Sequence, residues 1–190
     1  MRTSTTVMMM ALLFWLAVLQ PAQGSRTPSA DFEPYLSIEN TTFSLTGVGV
    51  LTYMGFIQIY HGALYLPAGV TSERVLENVP KRLEVIYLRH FKSEDIGTAT
   101  IEGLRRNVSP DMYDRLAARI ADHNRLYEDI AKGDRAALTY LPERGLTLTI
   151  NGRVKGTIAG EDFAQALFSL WLGDEPFNSR FKQALLGENR

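Results

Sequence analysis

The sequence predicts an α+β domain in which an antiparallel sheet carries helices on one face. Three observations carry this. Apolar residues recur with a period of two over 43–66 and 137–158, but with helical spacing over 93–130 and 161–172. The order is strands, two helices, three strands and a helix, not an alternating βαβ series, which segregates helices from sheet. Asn151-Gly152 between two strand-like runs is the dipeptide preferred in a tight hairpin.

Phe43-Ser-Leu-Thr alternates, and the run from Phe56 to Leu66 follows. There Phe56, Tyr60, Leu64 and Leu66 fall on one face and Ile57, Ile59, Ala63 and Tyr65 on the other, so this strand is expected to be central and covered on both sides. Residues 71–79 suit a short helix stopped by Pro80, and residues 83–91 a further strand. Ser93 with Glu94 and Asp95 starts a helix, because a hydroxyl accepts from free amides and acids suit the helix dipole. Ser109-Pro110-Asp111 starts the next. Its stripe of Tyr113, Leu116, Ile120, His123, Tyr127 and Ile130 predicts a helix that continues to Gly133. Strands over 137–140, 146–150 and 154–158 follow, then helices over 161–172 and about 178–186.

Ahead of the domain, residues 1–24 read as an export signal. Arg2 precedes the 13-residue apolar run Val7–Leu19, and Ala22 and Gly24 are spaced as a cleavage site. The run is shorter than the roughly 20 residues of a spanning helix, so no stable membrane span is expected after cleavage; a retained anchor is the alternative. The expected division is a signal over 1–24, a flexible leader over 25–34 and one domain over 35–190. Arg2 is the one charge in the signal, so the remaining 166 residues carry a net charge of −2. With no basic block, nucleic acid is not an expected partner. The absence of Cys excludes disulfides, thiolate catalysis and thiolate-bound metals, and an exported domain without disulfides suits a bacterial periplasm.

Candidate chemistry is sparse. Gly47-Val-Gly49 has no helix after it, so it reads as a bulge or a close backbone approach, not a phosphate cradle. His61, His90 and His123 are scattered without metal-site spacing; His123 falls on an apolar stripe and reads as a satisfied core histidine. Arg89-His90 at a strand end suits an anion or a pair with Glu94 or Asp95. Asn40-Thr-Thr42 and Asn107-Val-Ser109 match the glycosylation sequon, and nothing resembles a nucleophile elbow.

The run from Gly47 to Leu66, the strand Arg82–Phe91, Lys132-Gly-Asp134, the hairpin over 146–160, Phe163…Leu170-Trp-Leu-Gly173 and the tail Phe181–Gly187 occur in an order that resembles the chalcone isomerase-like family, above all its bacterial exported members. The resemblance implies an open-faced β-sandwich, a large antiparallel sheet covered by a helical layer with a ligand cleft between. The family's isomerases use an Arg after the G-x-G, a Thr on the central strand, and a Tyr and an Asn on the following helix. Those positions fall here on Leu51, Tyr60, Ile96 and Gly103, and a hydroxyl of the late helix falls near Ala164. The catalytic set is therefore absent, and no cofactor or metal is expected. The family's fatty-acid binders hold the carboxylate with the Arg and a central-strand Tyr, and only Tyr60 answers to that pattern; Arg89, Arg105 and Arg106 are the candidate replacements for the cation. The expected function is non-catalytic binding of an apolar small molecule such as a fatty acid, with Tyr60, Leu51, Tyr53, His61 and Ile96 as ligand-binding residues. A scaffold that binds a protein partner without ligand is the alternative, and an isomerase (intramolecular lyase) with rewired residues a further one.

Overall fold

A computed structural model describes residues 31–188. The proposed signal and leader residues 25–30 lie outside them. Seven strands form one sheet in chain order, every neighbour antiparallel: β1 (Tyr35–Ile38), β2 (Thr41–Tyr53), β3 (Ile57–Pro67), β4 (Lys81–Tyr87), β5 (Arg135–Leu141), β6 (Gly145–Ile150) and β7 (Arg153–Ile158). Helices α1 (Ser93–Asn107) and α2 (Pro110–Asn124) interrupt this meander, and α3 (Glu161–Leu172) and α4 (Ser179–Leu185) follow it. A large core between sheet and helices includes Leu64, Leu83, Leu104, Leu116, Leu148, Phe163 and Phe181. The opposite sheet face has its own smaller core of Phe32, Phe43, Ala63 and Tyr65, to which no helix among the described residues contributes. The helices are thus confined to one face, and β3 is covered on both.

Local signals explain most boundaries. Ser109 caps α2 by accepting from the Met112 amide, with Pro110 at the first helical position. Asn151 (φ 49°) and Gly152 (φ 78°) make the β6–β7 turn, where glycine tolerates the left-handed backbone. Asn178 caps α4 through the Phe181 amide and also donates to the Thr52 carbonyl, tying α4 to β2.

The differences from expectation have tertiary causes. Helix α2 stops at Asn124, short of Ile130. The amides of Leu126 and Tyr127 bond three residues back, and Ile130 pairs with the backbone of Phe91. Tyr127 and Ile130 keep the helical spacing of the stripe because both pack on the main core, not because the helix continues. Strand β4 covers Lys81–Tyr87, ahead of the expected 83–91, because the chain bends at Leu88 to make the Phe91 bridge. Only Ser72–Arg74 form a short 3-10 turn in the segment expected to be helical. Phe56 lies in the β2–β3 turn and is exposed together with Tyr53 and Met54, so β3 begins one residue later than its pattern suggests. Residues 31–34, assigned to the flexible leader, are packed onto the second sheet face. Phe32 is buried, the Arg135 guanidinium lies 5.4 Å from its ring centre, and Tyr65 donates to the Glu33 carbonyl.

The Gly47-Val-Gly49 motif is both a bulge and a close approach. The β2–β3 register shifts between Leu45 and Gly47, and the carbonyls ending α4 press onto Gly47. Two pairs further on, Gly49 opposes Gly62, and the ring of Phe181 fills the space that side chains would take at either.

Candidate functional site

A cleft of about 510 Å³ opens between the sheet and the helical layer. Its floor is Leu51, Tyr60 and Tyr87, paired across β2, β3 and β4 and so on one face of the sheet, with Ile59 beside them at the β2–β3 register shift. One wall is Ile96, Ala99 and Thr100 of α1, one helical turn apart; the other is Leu167 and Trp171 of α3 with Phe177 beyond it. His123 and Tyr127, from the end of α2, close the inner side. The charged lining residues, Asp95, Glu102 and Arg106, are all exposed at the mouth. A volume of this size lies within the roughly 300–1,000 Å³ of small-molecule sites.

Four of the five residues expected to contact a ligand, Leu51, Tyr53, Tyr60 and Ile96, line this cleft. His61 does not. Neighbours on a strand point to opposite faces, so His61 lies on the far side of the sheet from Tyr60. There its Nδ1 is 3.4 Å from an Asp31 carboxylate oxygen. Of the candidate cations, Arg106 reaches the cleft and makes no ion pair among the described residues. Arg105 lies over the Tyr113 ring, and Arg89 donates to the Gln58 carbonyl. Gly103 is buried where α1 crosses α3: a Cβ there would lie 2.6 Å from Leu170 and 2.8 Å from Phe177. Ala164 is fully buried. The Asn107 sequon is engaged internally, since its side chain donates to the Gly103 and Glu175 carbonyls and accepts from the Glu175 amide.

The polar groups inside the cleft are neutral. The Tyr60 hydroxyl accepts from the Trp171 indole at 2.6 Å, and Tyr60 meets Tyr87 edge to face at 5.6 Å. Burial raises the Tyr60, Tyr87 and Tyr127 hydroxyls far above the usual phenol range. His123 departs from the satisfied core histidine that its stripe position suggested. It is 1% exposed, it packs edge-on against Tyr127, and neither ring nitrogen has a hydrogen-bond partner. Burial lowers its pKa to about 4; Asn124 offsets part of this without reaching hydrogen-bond geometry.

The consequence for stability has a definite sign. A base whose folded pKa is depressed favours the native state only while neutral. The stability is complete above the unfolded value of about 6.5 and declines as pH falls toward about 4, by on the order of 3 kcal/mol in all. Denaturant titrations of the folded domain between pH 7 and 4 should show this decline, and a His123→Phe variant should flatten it. An unchanged slope in that variant assigns the acid sensitivity to other groups.

Trp171, Tyr87 and Tyr127 are not among the ligand-binding residues expected from the sequence. Each lies in an apolar run with ordinary periodicity, and only the crossing of α3 over β3 and β4 brings them together.

Sheet, helical layer and a mostly apolar cleft between them define an α+β protein with an open cleft between its two layers. The sequence profile of the chalcone isomerase-like family matches residues 25–187, and the chain belongs to that family. Among solved structures it is similar to AtFAP1, a fatty-acid binding protein of Arabidopsis thaliana. The TM-score is 0.63 at 14% identity, over 83% of this chain and 91% of the other. No curated protein sequence matches the chain. Among the described residues no helix is long and apolar enough to cross a membrane, and no cluster of His, Asp and Glu suits a metal ion.

Proposed function

We propose that this chain is an exported, non-catalytic binding protein for an amphipathic molecule with a long apolar chain and an anionic head, of the fatty-acid type. The observation that carries the reading is the cleft itself. Its walls are mostly apolar, its interior is uncharged, and at its mouth, beside the exposed Asp95 and Glu102, stands Arg106, a cation with no ion pair among the described residues. An alkyl chain gains about 0.8 kcal/mol per buried methylene, so a cleft of this volume suffices for useful affinity without any buried charge. A carboxylate at the mouth stays partly hydrated beside Arg106 and avoids the large penalty of an unpaired buried charge.

The positions that answer to the family's catalytic residues support the non-catalytic reading. Leu51 is apolar, and Gly103 has no room for a side chain, so neither supplies the electrostatic stabilisation on which ring closure depends. The fatty-acid binding neighbour supports the ligand class, and the apolar run at residues 7–19 supports export.

Calorimetric titration with palmitic acid is expected to give a dissociation constant well below millimolar. Arg106→Ala should weaken it about three- to tenfold, as expected for an exposed charge-assisted contact, and leave binding of the methyl ester unchanged. Failure of a panel of fatty acids to bind below millimolar overturns the reading.

A further inference from the structure

Resting on this ligand reading, we infer that the inner end of the cleft is a recognition site for a neutral oxygen on the bound chain, so that the preferred ligand is an oxygenated fatty acid, with a hydroxyl or keto group, and not a plain one. Three tyrosines and a histidine converge there from β3, β4 and the end of α2. Tyr60 accepts from Trp171 and keeps its own proton to donate. Among the described residues His123, buried beside Tyr127, has both ring nitrogens without a hydrogen-bond partner, and Tyr87 and Tyr127 line the open cleft next to it. The group is compact, with Tyr60 and Tyr87 rings 5.6 Å apart and His123 and Tyr127 rings 5.4 Å apart.

Buried polar groups are almost always hydrogen-bonded, so the two unpartnered nitrogens of His123, beside tyrosine hydroxyls that open onto the cleft, point to a partner from outside the protein. The chemistry of that partner follows from its surroundings. No cation lines the inner end, since Arg106 is at the mouth, so an ionised carboxylate there would be buried without a counter-charge. A hydroxyl both donates and accepts, and a ketone accepts; neutral tyrosines and a neutral imidazole match either. A chain that ends in methyl satisfies none of them and keeps their desolvation cost. The anionic head at Arg106 and the neutral oxygen inside then fix the ligand's direction in the cleft.

The test compares palmitic acid, its ω-hydroxylated form and a mid-chain hydroxy isomer on the folded protein and on a Tyr87→Phe/Tyr127→Phe double variant. These substitutions remove two hydroxyls and keep the rings, and a thermal melt confirms the variant's fold. At least one hydroxylated acid should bind the unmodified protein about tenfold tighter than palmitic acid. In the double variant that ratio should fall to near one. Palmitic acid binding as tightly as both hydroxylated forms overturns the inference while leaving the carrier reading intact. So does a preference that survives in the double variant, which puts the hydroxyl elsewhere. If none of the three binds, the carrier reading fails and the inference with it. Should the double variant not fold, the single variants are used and each should lower the ratio.

Discussion

Replacing Gly47 by alanine is expected to destabilise the domain by about 3 kcal/mol or more, at the upper end of what overpacking does. A Cβ at this position would lie 2.5 Å from the Leu185 carbonyl oxygen and closer still to that of Ala184. Both obstacles are backbone, so no rotamer change relieves the clash, and either β2 or the end of α4 must move. Helix α4 has little freedom to do so. Asn178 holds its start to Thr52, Ser72 donates to the Leu186 carbonyl at its end, and Phe181 is seated on Gly49 and Gly62. Moving α4 also withdraws Phe181 from the Tyr60 ring, 5.6 Å away, and loosens the cleft floor. Denaturant unfolding measures the loss, and palmitic-acid affinity should fall with it. The contrasting variant is Gly97→Ala in α1, where the nearest atom, on Asn124, is 3.4 Å from the new Cβ. There the gain in helix propensity should stabilise by about 0.5–1 kcal/mol. Equal effects at the two positions would mean that α4 is not held against β2.

The second large effect is expected at Glu84 on the opposite face of the sheet. Glu84 is 5% exposed; Arg82 binds one of its carboxylate oxygens through two nitrogens, at 2.7 and 3.1 Å, and Arg135 binds the other. Each arginine has a second tie: Arg82 donates to Thr139 at 2.6 Å, and Arg135 donates to the Asp31 carbonyl at 2.8 Å. Removing the carboxylate leaves two guanidinium groups facing each other with no counter-charge. Glu84→Ala should therefore lower stability by about 3–5 kcal/mol, the range for breaking a buried pair. Glu84→Gln, which keeps an acceptor, should lose less. Because Arg135 also anchors residues 31–34, limited proteolysis near Asp31 should accelerate in Glu84→Ala at denaturant concentrations where the sheet remains folded. A loss below about 1 kcal/mol would show that solvent screens the cluster as it does at a surface.

Both effects arise at contacts between segments distant in sequence, and the same contrast runs through the whole molecule. The cleft residues Leu51, Tyr60 and Ile96 were legible because the family resemblance fixes which strand and helix face each other. The error at His61 had the opposite origin. Its apolar neighbours suggested the site, but one step along a strand turns the side chain to the other face, where Asp31 meets it. His123 looked like a stripe residue, and nothing local indicates that its ring nitrogens lack partners.

What the amino-acid sequence determined by itself was local: the α+β class, the capped starts of α2 and α4, the Asn151-Gly152 turn, the two covered faces of β3 and the special role of Gly47-Val-Gly49. Each follows from periodicity, capping or backbone allowance within a few residues. The hydroxyl cap expected of Ser93 is not formed, since Lys92 stands at the start of α1 without a side-chain cap. Tertiary structure alone decided where α2 stops, that residues 31–34 pack, that α4 seats on bare glycine backbone, and that Tyr60, Tyr87, Tyr127, His123 and Trp171 share one cleft. These depend on which faces meet across 20 to more than 100 residues of chain, as in the Tyr60–Trp171 hydrogen bond at a separation of 111. Local propensity does not encode such pairings; the burial of the two sheet faces does.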